Sequence, residues 1–149
     1  MNKQILKDTI QQLFSGNKEL LAMDESIGTC NKRFAAAGIR QTSEMRRKYS
    51  ELIFTTPGLN ESIVGAILYD ETMRQQTTAH VPMAEVLEKA GIIPGSKVDL
   101  GAKPMAGFTI EKVMEGFDGL RERLAEYKKM GARFAKKLLT NPGVLLLWK

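Results

Sequence analysis

The chain has 149 residues, a net charge of +5, and 43% hydrophobic against 26% charged residues, which fits one water-soluble domain able to bury a core. No stretch reaches the ~18 apolar residues of a membrane span, and Cys30 is the lone cysteine, so a membrane protein and a disulfide framework are both excluded. The opening "MNKQILKDTIQQLF" carries scattered charges and no apolar leader, so a cytoplasmic location is expected.

Leu6, Ile10, Leu13 and Phe14 repeat at i, i+4, i+7 and i+8 and predict one buried face of a first helix. "ELLAM" then reads as a buried strand, and "DESIGT" as a polar loop. Thr42 or Ser43 can cap a second helix, with Met45, Tyr49, Leu52 and Ile53 as its apolar face. "SIVGAILY" is a continuous apolar run, the pattern of a strand covered on both faces. Met83, Val86, Leu87 and Ala90 mark the next helix. "GIIPGSKVDLG" is a third strand candidate, although proline is tolerated only at strand ends, edges or bulges. A Gly-rich loop leads to a helix faced by Phe117, Leu120, Leu124 and Tyr127, and "ARFAKKLL" is a fourth strand. Strands alternating with helices predict a parallel sheet with right-handed crossovers.

Each apolar run ends on ionisable residues: Asp24 and Glu25, Asp70 and Glu71, Lys97 and Asp99, Lys136 and Lys137. Ligand sites of parallel α/β folds lie at the carboxyl ends of their strands, so these groups are expected to converge on one rim. A lysine there can act as a base or bind phosphate, and a neighbouring carboxylate can move protons. Lys136 and Lys137 point in opposite directions if they lie in a strand, so only one can face the site. Each group also has a plainer reading: an aspartate after a strand is commonly a cap or turn residue, and Lys128 and Lys129 form a solvated helix end. His80 stands alone in "TTAHVP", so no metal centre is expected. No GxGxxG or GxxxxGK[ST] occurs, so no nucleotide cofactor is expected. Basic residues are interleaved with acids and lack aromatic platforms, which disfavours nucleic acid as a partner.

At these residues the sequence becomes specific. "LLAMDESIGTCNKRF", "GAILYDET", "GIIPGSKVDLGAKPMAG" and "GFDGLRERLAEYKKMGARFAK" follow one another in the order found in class I fructose-1,6-bisphosphate aldolases, and the chain resembles that family from its first helix to about Lys137. The resemblance implies a (β/α)8 TIM barrel, of which this α/β chain would supply a preceding helix and the N-terminal half, about three and a half βα units. It implies reversible cleavage of fructose 1,6-bisphosphate through a lysine Schiff base, with no metal and no cofactor. By motif, Asp24 matches an aspartate that orients and shuttles protons, and Lys136 a lysine assisting carbinolamine formation and carbon–carbon cleavage. Lys97 matches a substrate-contacting lysine, and Ser26 and Arg33 match phosphate contacts. Glu71 is expected in a supporting structural role. Leu138 stands where the family has an arginine, and Leu100 where it commonly has a polar or basic residue.

A full barrel needs ~250 residues. Residues 1–137 are therefore expected to form a partial barrel and 138–149 a divergent apolar tail, without the region that carries the family's Schiff-base lysine. The isolated chain is expected to be inactive and to expose two open sheet edges. A complementary barrel half, a second copy or intact aldolase is the expected protein partner, and a sugar bisphosphate the expected ligand.

Overall fold

A computed structural model describes residues 3–108 and 110–137, together with the backbone of 144–147. Helix α1 (Lys3–Phe14) leads into strand β1 (Glu19–Met23). Helices α2 (Ile27–Ala36), α3 (Ser43–Phe54) and α4 (Leu59–Ser62) precede β2 (Ile63–Leu68). The short helices α5 (Asp70–Arg74) and α6 (Met83–Lys89) precede β3 (Ile93–Lys97). A hairpin of β4 (Gly101–Pro104) and β5 (Lys112–Glu115) interrupts the next crossover, which continues through α7 (Leu120–Lys129) to β6 (Phe134–Lys137). Strand β7 (Val144–Leu147) follows.

Strands β1, β2, β3 and β6 are parallel neighbours in that order, and β7 joins β6 antiparallel. The expected parallel sheet is therefore present. The described sheet still ends in two strands with one ladder partner each, but the second is β7 and not β6, because β7 covers all four residues of β6. The tail positions 138–143, Leu138 among them, and 148–149 lie outside the described residues.

One face of the sheet packs on the helices, where Met23, Ala66, Leu68 and Ala135 meet Phe54, Met83, Leu87 and Tyr127. On the other face Ile67, Ile93 and Phe134 pack with Leu13 of α1. Gly95 makes room there: a Cβ would fall 2.4 Å from the Phe134 ring. The expected α1 face is rotated. Thr9 and Leu13 are buried while Phe14 is 75% exposed, because Thr9 Oγ1 accepts from Arg133 Nη2 at 2.7 Å and draws the Thr9 side of the helix inward. In α3, Ser50 and Phe54 take the buried positions and Leu52 is exposed.

Two elements depart from the sequence reading. "DESIGT" opens α2, capped by Ser26, whose Oγ accepts from the Thr29 amide. The Gly-rich loop contains the β4–β5 hairpin, whose strands lie largely on the surface. Pro94 sits inside β3 without cost for a local reason. Its carbonyl accepts from the Arg133 amide, so its peptide groups face β6, and β6 begins only at the level of Gly95. The missing N–H falls where no ladder exists.

Candidate functional site

The register fixes which strand-end residues share a level. Met23 pairs with Leu68, Leu68 with Ser96, and Ser96 with Ala135. One residue further along, Lys97 pairs directly with Lys136, and Asp24 lies at the same level at the sheet's far side. Side chains alternate along a strand. Ser96 and Ala135 face the helices, so Lys97 and Lys136 face the opposite, inner side, with Gly95 and Phe134.

Lys136 Nζ donates to Asp24 Oδ2 at 2.8 Å. The contact spans two intervening strands, as fits a sheet curled toward its inner face. The Asp24 side chain is 10% exposed and that of Lys136 is 30% exposed, so the carboxylate is shielded while the ammonium remains reachable. Lys97 has its own counter-charge: its Nζ lies 3.6 Å from Oδ1 of Asp99, a buried carboxylate that also accepts from the Gly101 amide. Two ammonium groups thus stand on adjacent strands, each held by a separate carboxylate. An anion placed above them meets both cations without displacing a buried partner.

The other strand-end residues turn away. Lys137 lies over the Phe117 ring, 4.2 Å from its centroid. Asp70 accepts from Tyr127 Oη at 2.7 Å and from Arg74 Nε at 3.0 Å, joining α5 to α7. Burial, and after it the neighbouring Asp70 carboxylate, pushes the Tyr127 phenol above its usual range. Glu71 receives two bonds from Arg46, at 2.7 and 2.8 Å, which tie α3 to α5. The Arg46 guanidinium holds the Glu71 carboxyl below the usual carboxylate range.

Ser26 and Arg33 do not join the row. The Ser26 hydroxyl caps α2 and lies 3.1 Å from Thr29 Oγ1, and the exposed Arg33 pairs with Glu25. Sequence reasoning did not single out Arg123. From α7 it donates to the carbonyls of Val98, at 3.2 Å, and Gly116, and so fixes the hairpin against the end of β3. Its place in "LRERLAEYKK" reads as solvated helix charge, and the sequence offers no signal for the two carbonyls it meets. A cavity of about 600 Å³ beside Lys97 is lined by Asp70, Arg74, Asp99, Arg123 and Tyr127 among others. Asp24 and Lys136 are not among its lining residues, whereas Lys97 is, so Lys97 is the residue of the row that also borders this cavity. Among the described residues no helix is long and apolar enough to cross a membrane.

A half-sheet of parallel strands with covering helices and charged residues at the carboxyl ends is the arrangement of part of a (β/α)8 barrel. The family model for class-I fructose-bisphosphate aldolase matches residues 5–139, and the chain belongs to that family. A probable fructose-bisphosphate aldolase class 1 of Xylella fastidiosa (strain Temecula1) is 53% identical over 136 residues, covering 91% of this chain and 41% of the relative. The muscle-type aldolase of Lethenteron camtschaticum is 46% identical over 135 residues, covering 90% and 37%. In solved structures, the Plasmodium falciparum aldolase crystallised with TRAP and a small-molecule inhibitor superposes with a TM-score of 0.84 at 45% identity, covering 89% of this chain and 38% of that one. The chain thus spans about 40% of the length of the relatives it matches.

Proposed function

We propose that these 149 residues carry the proton-transfer and anion-binding part of a class I aldolase site for fructose 1,6-bisphosphate. The observation that supports this best is the row itself: Asp24 and Lys136 joined at 2.8 Å, with Lys97 in register beside Lys136. In this reading Lys136 donates to the substrate oxygen on which charge develops. Asp24 takes and returns the proton, and Lys97 holds a hydroxyl or phosphate oxygen. Ser26, at the start of α2, and Arg33 are assigned to a phosphate group. For that role the exposed Arg33 leaves Glu25, whose side chain is partly shielded.

The same proposal holds that the 149-residue polypeptide binds the sugar bisphosphate without cleaving it, in the cytoplasm, because the Schiff-base lysine expected from the family lies outside these residues. Titration with fructose 1,6-bisphosphate, followed by amide shifts, tests the binding half. Shifts are expected at Asp24, Lys97 and Lys136 and are expected to vanish in Lys97→Met and Lys136→Met. Shifts at Ser26 and Arg33 are expected with them, and shifts confined to other residues, or none, would refute it. A coupled turnover assay with borohydride trapping tests the other half, and a trapped adduct or normal turnover would overturn it.

A second reading, a non-catalytic piece that pairs with a complementary barrel half, is favoured by one observation. Strand β1 has a single ladder partner among the described strands, whereas every strand of a closed barrel has two.

A further inference from the structure

The connection from β6 to β7 is residues 138–143. A parallel continuation needs a crossover of roughly a dozen residues or more, whereas an antiparallel return needs only a few. Strand β7 accordingly returns antiparallel, opposing Phe134 with Leu147, Ala135 with Leu146, Lys136 with Leu145, and Lys137 with Val144. The Lys136 carbonyl accepts from the Val98 amide at 3.0 Å, so the peptide groups of Lys136 are spent on β3. By alternation those of Ala135 and Lys137 face β7, and the amides of Leu146 and Val144 face back.

Without β7, the four parallel strands would present two edges, β6 and β1. A (β/α)8 barrel contains eight strands. Two copies related by a two-fold axis supply them, with β6 of each copy lying parallel to β1 of the other and both junctions equivalent. The tips at those junctions carry opposite charges, β6 ending in Lys136 and Lys137 and β1 running into Asp24 and Glu25. Within one copy, however, Lys136 already pairs with Asp24 and Glu25 with Arg33, so strand order, not unmet charge, selects the second copy. The β1 side also leaves apolar surface uncovered, at Leu20 and at the nearby Phe14.

We infer that β7 is an intramolecular cap holding the place of a second copy's β1, and that its release lets two copies close an eight-stranded barrel. The inference rests on strand order and the single-partnered β1 edge, not on the substrate reading, and no substrate enters its test.

Proline parity isolates the edge. Leu146→Pro removes the amide aimed at Ala135, while Leu145→Pro removes one aimed away from β6, a position that edge strands tolerate. In the unaltered chain, hydrogen exchange is expected to show protected Ala135 and Lys137 amides. Leu145→Pro should retain that protection and the mass of the unaltered chain by light scattering. Leu146→Pro should lose it at low concentration. At high concentration it should reach twice the 16.6 kDa of one chain and gain protection at Ala135 and along β1 together. Unprotected Ala135 and Lys137 amides in the unaltered chain would overturn the inference. So would a Leu146→Pro chain that stays monomeric, unfolds throughout, or forms only open-ended aggregates.

Discussion

Replacing Gly95 by alanine tests the packing beneath the charged row. Gly95 lies opposite Phe134 in the β3–β6 ladder. A Cβ at this position would sit 2.4, 2.4 and 2.6 Å from three ring atoms of Phe134, a side chain that is 0% exposed. Those separations are ~1 Å or more inside the optimum of ~3.5–4.0 Å between carbons. Gly95 does not adopt a positive φ, so alanine meets no backbone strain and gains ~0.4–1 kcal/mol from a less flexible unfolded chain. Overpacking costs ~1–3 kcal/mol, and three simultaneous contacts place it at the upper end. The net expectation is a loss of about 2 kcal/mol, or a fall in Tm of ~4–8 °C for a chain of this size.

Urea denaturation of a double-mutant cycle is the assay. Phe134→Leu alone should cost about 1–2 kcal/mol as the ring is lost. Because it also vacates the space that the added methyl group needs, the double variant should be at least ~1 kcal/mol more stable than the sum of the single losses predicts. Additivity within ~0.5 kcal/mol, or a neutral Gly95→Ala, would refute the argument that the ring and the missing Cβ share one space.

Lys136→Met leaves the shielded Asp24 carboxylate without its ammonium and should cost ~1–3 kcal/mol at neutral pH, whereas Lys136→Arg should stay within ~0.5 kcal/mol of the unaltered chain; equal urea midpoints for all three would count against the pair. For Arg46–Glu71 the sign follows from the depressed Glu71 carboxyl: the stabilisation is full above the unfolded carboxyl value of ~4.3 and is lost as pH falls through the lower folded value. The gap in urea midpoint between the unaltered chain and Glu71→Gln should therefore be constant from pH 7 to ~5 and close under acid, and a gap that widens under acid would reverse the assignment. Tyr127→Phe removes the 2.7 Å bond to Asp70 from a fully buried ring and should cost about 1 kcal/mol, since Asp70 can turn to water. Asp70→Asn should lower the phenol's titration, and an unchanged phenol would show that burial alone raises it.

The strands were legible because burial on both faces leaves an unbroken apolar run, as in "SIVGAILY", and because the following helix must start on polar residues. Helix α2 was not, since only Cys30 and Phe34 of its ten residues are buried and two apolar residues make no stripe. The signal was present in Ser26 followed by that i, i+4 pair, but capping serines and turn serines look alike in sequence. The hairpin escaped because four-residue strands with exposed faces carry no alternation to detect. Lys97 and Lys136 were legible as strand-end residues of opposite type to Asp24, yet their pairing depends on register. Register is set by how Phe134 lies over Gly95 and how Pro94 starts the ladder, contacts separated by some forty positions in sequence.

The two-residue period that sorts Lys136 from Lys137 also sorts the backbone of the same strand. Lys136 turns its side chain to the inner row and its peptide groups to β3. Ala135 turns its side chain to the helices and, with Lys137, leaves its peptide groups for the edge. A proline that loosens β7 at Leu146 thus reaches only the groups the row does not use, so the Asp24–Lys136 contact should persist when the edge opens. Site and edge can then be varied separately: changes at Asp24, Lys97 and Lys136 act on what the inner face binds, and changes in β7 on which strand lies beside β6.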